Sequence, residues 1–182
     1  SARDGEEHAY GYQYDKLGRL TQADFRTKDD QNAWTTEKGD FTVFGITYDV
    51  NGNIEKLNRQ GTIAKDENGS YTYGAMDRLL YHYDGNRLLA VDDQVITDGS
   101  GADFRDWGAA RYCATMEQEY EYNKSGSLIS DVNKGIQHIE YNANNLPREI
   151  ITDEAKVRYL YDAAGIKLKK EVFNLDGTLK ST

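Results

Sequence analysis

A nine-residue phrase, YQYDKLGRL at Tyr12 to Leu20, returns as ITYDVNGNI at Ile46 to Ile54, YTYGAMDRL at Tyr71 to Leu79 and YEYNKSGSL at Tyr120 to Leu128. Internal repetition of this kind limits the fold more than any single motif, because each copy must be one supersecondary unit that buries its apolar face against its neighbours. Shorter or longer versions follow: YHYDGNRL at Tyr81 to Leu88, IEYNANNL at Ile139 to Leu146, YLYDAAGIKL at Tyr159 to Leu168, and FNLDGTL at Phe173 to Leu179.

Each copy reads as a β-hairpin. Alternate residues of a strand share a face, so Tyr12 and Tyr14 point one way and Asp15 the other. An Asp followed three residues later by Gly fits a type I turn closed by a left-handed glycine, which makes Lys16, Leu17 and Gly18 the loop. Asp15 then faces Arg19, and Tyr14 faces Leu20. The same reading pairs Tyr48 with Ile54 around Asp49 and Gly52, Tyr73 with Leu79, and Tyr122 with Leu128 around Gly126. The copies of different length keep an aromatic opposite an aliphatic residue if their loops change length. Tyr83 then meets Leu88 across a two-residue type II′ turn after Asp84, Tyr141 meets Leu146, and Tyr161 meets Leu168 across a four-residue loop holding Gly165, with Asp162 opposite Lys167. The expected fold is therefore all-β: one antiparallel meander over residues 1–182, curling into a twisted sheet, partial barrel or shell. No helix is expected. Further turns are expected at Asn68 and Gly69, near Asn133 to Gly135, and near Asp153 to Lys156. Two stretches break the rhythm, 26–40 with Trp34 and 97–115 with Trp107, Tyr112 and Cys113. They read as insertions whose tryptophans plug the ends of the core.

Composition excludes several functions. Twenty-two basic against thirty-one acidic residues give a net charge of -9, the wrong sign for binding phosphates or anionic lipid. Neither nucleic acid nor membrane is an expected partner. One cysteine and three histidines, His8, His82 and His138, leave no basis for a disulfide framework or a multi-cysteine zinc site. The start, SARDGEEHAY, lacks the apolar stretch of a signal peptide. GxSxG, HExxH, GxGxxG and GxxxxGK strings are absent from the sequence, so no enzyme class has its starting evidence and no cofactor is expected. Cys113 with His138 is a weak nucleophile pair against the ordinary role of a buried thiol. Asp49, Asn51 and Asn53 imitate the opening of a calcium loop, but Ile54 and Gln60 stand where glycine and glutamate are needed. The signature aspartates Asp15, Asp49, Asp84 and Asp162 read instead as turn caps. The sequons at Asn68 and Asn123 both fall in turns. Twelve of the fourteen tyrosines lie in or beside the repeats, which favours cross-strand packing over a carbohydrate platform.

The phrase YxYDxxGRL, recurring near every twenty residues, closely resembles the YD repeats of the RHS family, and YDVNGNI, YDGNRLLAV and YNANNLP resemble RHS proteins of Bacteroidetes-type bacteria. The resemblance covers most of the chain. It implies a hairpin sheet that spirals into a hollow shell, as in bacterial RHS toxins and the related teneurins. The self-cleaving core that follows such repeats, and a variable toxin domain, have no recognisable counterpart before Thr182. The resemblance thus implies a non-enzymatic wall segment at the bacterial cell surface or outside the cell. Its partners would be the flanking repeats and a C-terminal cargo such as a toxin. An adhesive module binding glycans or a cell-surface receptor is the alternative. Open sheet edges would also permit edge-strand dimerisation.

Overall fold

A computed structural model describes residues 7–36, 41–95, 104 and 118–181. The described residues are all-β apart from one 3-10 turn at Val132–Lys134. The strands form two antiparallel sheets of meander-like order, neither closed into a barrel. Where one continuous array was expected, the chain divides into two compact units, Ser1–Arg87 with Val91–Asp106, and Leu88–Ala90 with Trp107–Thr182.

The first sheet runs β1 (His8–Tyr14), β2 (Leu20–Lys28), β4 (Val43–Tyr48), β5 (Ile54–Lys65), β6 (Tyr71–Asp84) and β7 (Arg87–Asp93), with the two-residue β3 (Trp34–Thr35) hung on β2. Its buried face carries Ala23, Phe25, Ile46, Met76 and Leu79. The second sheet comprises β8 (Tyr120–Tyr122), β9 (Leu128–Asp131), β10 (Ile136–Tyr141), β11 (Pro147–Thr152), β12 (Lys156–Tyr161), β13 (Lys167–Phe173) and β14 (Leu179–Ser181), consecutive strands pairing throughout.

Several hairpins stand where the repeat puts them: Tyr14 pairs with Leu20, Tyr48 with Ile54, Tyr122 with Leu128 and Phe173 with Leu179. Others do not. Tyr141 pairs with Pro147 rather than Leu146, and Tyr161 with Lys167 rather than Leu168. Leu168 is consequently exposed. The cause is the loop, which keeps one form while the aromatic–aliphatic pair gives way. At 162–166 the Asp162 amide bonds the Ile166 carbonyl and the Gly165 amide returns to Asp162, a three-residue loop and not a four-residue one. At 142–146 the same two bonds form, and Asn145, at φ 57°, supplies the left-handed residue. Asn is among the few non-glycine residues that tolerate this conformation.

The expected hairpin at Tyr71 to Leu79 does not form. Residues Tyr71–Asp84 are one 14-residue strand, with Tyr73 paired to Thr62 and Leu79 to Leu57. Aligned on the first copy, Gly74 replaces the capping Asp and Asp77 replaces the left-handed Gly, so both turn-making residues are missing. A bend here would gain no side-chain cap and would lack the glycine that takes the left-handed place at no steric cost. Extended, Gly74 instead makes room for Ile63, whose Cδ1 lies 2.8 Å from where a Cβ would stand. The next hairpin does turn at Gly85 and Asn86, with Gly85 at φ 61° and Asn86 outside the left-handed region, which is type II′.

The stretch 26–40 holds a hairpin of its own: Lys28 pairs with Trp34 across a loop with Asn32 left-handed. Trp34 is exposed under the Lys28 ammonium and plugs no core. Most of 97–115, including Trp107, Tyr112 and Cys113, lies outside the described residues.

Candidate functional site

The recurring chemistry begins in the loops. Those opened by Asp15, Asp29, Asp49, Asp66, Asn123, Asn142, Asp162 and Asn174 share one backbone pattern. The first residue's amide bonds the carbonyl four residues on, and the amide of the fourth residue bonds the first residue's carbonyl. The fourth residue is left-handed in all eight, a glycine except at Asn32 and Asn145. In the first seven, the opening side chain also accepts from the amide four residues on; Asp15 Oδ1, for example, takes Leu17 and Arg19 amides at 2.9 Å each. The Arg19 amide leads the contacts that hold the Asp15 carboxyl below the usual aspartate range, and the Asn53 side-chain amide does so for Asp49. Both carboxylates are occupied by their own turns, which accounts for Asp49 without a cation. Among the described residues no three His, Cys, Asp or Glu side chains come together as a metal site.

Two sets of contacts join successive hairpins. The tyrosine hydroxyls form the first: Tyr48 donates to the Leu20 carbonyl at 2.6 Å, Tyr141 to Leu128 at 2.6 Å and Tyr161 to Pro147 at 3.0 Å. In each case the acceptor is the residue paired with the preceding hairpin's own tyrosine, Tyr14, Tyr122 or Tyr141. Phenylalanine would fill the same space but leave that carbonyl without its donor, which explains why the repeated ring carries a hydroxyl. The loop-exit residue forms the second set. Arg19 reaches the Asp49 carbonyl at 3.4 Å and lies 4.4 Å over the Tyr48 ring; Asn53 donates to Asn86 at 3.1 Å; Ser127 donates to Asn145 at 2.8 Å. The exit position varies in sequence because three side chains of different length each span to the next loop.

Buried polar groups are structural too. Asp77, 1 % exposed, is ion-paired to Arg59 and accepts the Phe104 amide at 3.0 Å. Asp131 caps the 3-10 turn through the Lys134 amide and binds the Lys134 ammonium at 2.9 Å. Asn133 bridges Glu119 at 2.8 Å and the Tyr120 hydroxyl at 3.2 Å, and burial pushes the Tyr120 phenol up to about 12. Sequence reading missed this network, since Glu119 and Asn133 lie outside the repeated phrase.

Two surfaces could meet a ligand. On the second sheet, a recess of about 390 Å³ is lined by Arg148, Glu149, Arg158, Tyr159, Leu160, Lys169 and Glu171. Its cations are already matched, Arg148 to Glu140 at 2.5 Å, Arg158 to Glu149 at 2.6 Å and Lys169 to Glu171 at 2.6 Å. On the first sheet, Tyr10, Tyr12 and Tyr14 share one face of β1 with exposures of 44, 57 and 60 %. The Tyr10 and Tyr12 rings stack at 6.2 Å, and an edge-on chain runs on from Tyr10 through Phe25 and Phe41 to Tyr73. His138 is exposed on β10, and its suggested partner Cys113 lies outside the described residues. Asn68 stands exposed in its loop, whereas Asn123 caps its own turn. No family model matches this chain, and no curated protein matches it.

Proposed function

We propose that the chain is a non-enzymatic structural module, a wall segment of an RHS-type repeat protein that encloses or scaffolds a C-terminal cargo such as a toxin, at the cell surface or outside the cell. The observation that supports this reading is the tyrosine clip. The side chains that recur along the chain spend their polar atoms on fastening one hairpin to the previous one, and a wall assembled from repeated units needs such fasteners. Asp15, Asp49 and Asp162 are likewise committed to their turns, so they are not free acids or bases, whereas the Asp84 side chain makes no such bond among the described residues. Protease mapping of the full natural polypeptide tests the proposal, comparing the native chain with one carrying Tyr48→Phe, Tyr141→Phe and Tyr161→Phe together. Enclosure predicts a downstream segment resistant in the first and cleaved faster in the second. Equal cleavage in both would overturn it.

The exposed row Tyr10, Tyr12 and Tyr14 favours a second reading, an adhesive face for glycans or a receptor. Stacked phenols fit sugar rings. A glycan array settles between them: a saccharide retained by this chain and lost on Tyr12→Ala would establish adhesion.

A further inference from the structure

We propose that copies of this chain associate head to tail, the β1 edge of one adding to the uncovered stretch of β13 of the next, with the Tyr14 hydroxyl donating to the Lys167 carbonyl. The partner is a second copy. The inference rests on the wall reading only in treating the hairpin row as extensible.

The two edges are complementary halves of a joint already made three times. Tyr14 is the signature tyrosine of the first hairpin, yet among the described residues nothing accepts from its hydroxyl, and it is 60 % exposed. Lys167 holds the acceptor place, since it pairs with Tyr161 as Leu20 pairs with Tyr14 and Pro147 with Tyr141. Beside β13, β14 covers only Val172 and Phe173, so 167–171 has an open outer edge among the described residues.

Register follows from the existing joint between β11 and β12. Setting Tyr14 where Tyr161 stands and Lys167 where Pro147 stands maps the pairs Glu149–Arg158, Ile150–Val157 and Ile151–Lys156 onto Lys169–Gly11, Lys170–Tyr10 and Glu171–Ala9. The same mapping sets Leu168, the bulged residue of β13, where the bulged Arg148 stands and Tyr12 where Tyr159 stands. Arg148 and Tyr159 line one recess, so an exposed aliphatic side chain comes near Tyr12. The joint stops at Glu171, short of the residues β14 already holds.

Charge agrees with this pairing. β1, HAYGYQY, has no charged residue to blunt an open edge, whereas 167–171 reads KLKKE. Cations over aromatic rings already recur in these sheets, as Lys167 over Tyr159 at 3.9 Å, Lys65 over Tyr71 at 5.0 Å and Arg19 over Tyr48 at 4.4 Å. Setting Lys170 beside Tyr10 repeats a pairing that Tyr159 and Lys170 make within the chain. Three residue pairs and one hydroxyl bond bury little surface, so association is weak and reversible. Because donor and acceptor edges differ, the contact is heterologous and need not close at two copies.

Sedimentation equilibrium of the 182-residue chain over a concentration series tests this. The expected result is an average mass that climbs past the dimer as concentration rises. Tyr12→Lys disables the donor edge and Leu168→Lys the acceptor edge; each variant alone stays monomeric, and a mixture of the two stops at a one-to-one dimer, since one intact joint remains. Near-ultraviolet circular dichroism shows whether each variant keeps its tyrosine environment. Tyr14→Phe, which removes only a hydroxyl, weakens association by about three- to tenfold, the worth of one net hydrogen bond. A chain monomeric at every concentration, association surviving in Leu168→Lys, or a mixture that forms no dimer would each overturn the proposal. Those outcomes leave the enclosure reading standing, because protease protection in the full polypeptide does not depend on contacts between copies.

Discussion

The two units solve the same problem differently. In the second, the loops after Tyr122, Tyr141 and Tyr161 have the same form and the tyrosine clip recurs at Tyr141 and Tyr161. In the first, the copy at Tyr71 to Leu79 lacks both turn-making residues, and β5 with β6 becomes a long ladder running from Lys56 with Leu80 to Lys65 with Tyr71. That ladder buries the Asp77 carboxylate against Arg59, whereas the carboxylates of the second unit's cross-strand pairs, Glu149 with Arg158 and Glu140 with Arg148, stay partly exposed. What separates a hairpin from a long strand is thus a capping side chain and a left-handed residue three places later. The tyrosines do not decide it.

The largest effect that could break this comparison is at Asp77. Asp77→Ala strips a buried partner from Arg59 and the Phe104 amide and is expected to cost about 3 kcal/mol, read from urea unfolding of the first unit. A loss below about 1 kcal/mol would show that the long ladder stands without its ion pair. Next come the left-handed positions. Gly126→Val should cost roughly 1–2 kcal/mol through backbone strain alone, since no atom lies within 4 Å of a Cβ there. Asn145→Gly, at the same place in the next loop, should be neutral or slightly stabilising. If both substitutions behave alike, the shared loop is not what holds the second unit.

Finer still is the hydroxyl comparison. Tyr141→Phe is expected to lose about 1 kcal/mol, while Tyr14→Phe leaves the monomer's unfolding midpoint unchanged; equal losses would remove the distinction between clipped and free tyrosines. The smallest effects are pH-dependent. Burial raises the Tyr120 phenol to about 12 in the folded chain, above the ordinary tyrosine value of about 10. Its contribution is therefore full below pH 10 and is lost as pH climbs toward 12, which fluorescence-monitored alkaline titration of the second unit should show. Asp15 and Asp49 are shifted down. They contribute above the ordinary aspartate range and lose that contribution as pH falls through their folded values, a change detectable as stiff hairpin amides beginning to exchange in acid.

How much of this was legible is instructive residue by residue. The loop at Asp15 could be drawn from its Asp and Gly, and so could those at Asp49 and Asn123. Ranking the aromatic–aliphatic pair above the turn misplaced the partners of Tyr141 and Tyr161, because one cross-strand contact contributes about as much as a turn's cap but cannot supply a left-handed residue. The absence of a turn at Gly74 was visible in the same two positions and was overridden by the likeness of the flanking tyrosines. The loop at Asp29 was hidden by Asn32 in place of glycine. As for the candidate site, Tyr12 and Tyr14 stand in the repeated phrase and Tyr10 lies outside it, and which tyrosines bond a neighbour and which stand open was not legible.

Sequence by itself determined the antiparallel β class, the repeat and the turn chemistry, since these depend on residues within nine positions of one another. Tertiary structure alone decided the clips from Tyr48 to Leu20 and from Tyr141 to Leu128, the burial of Asp77 and Glu119, and the division into two sheets. The reason is one of range. A turn is fixed by local backbone preference, whereas a hydroxyl finds a carbonyl 28 residues away only once the intervening strands have taken their places.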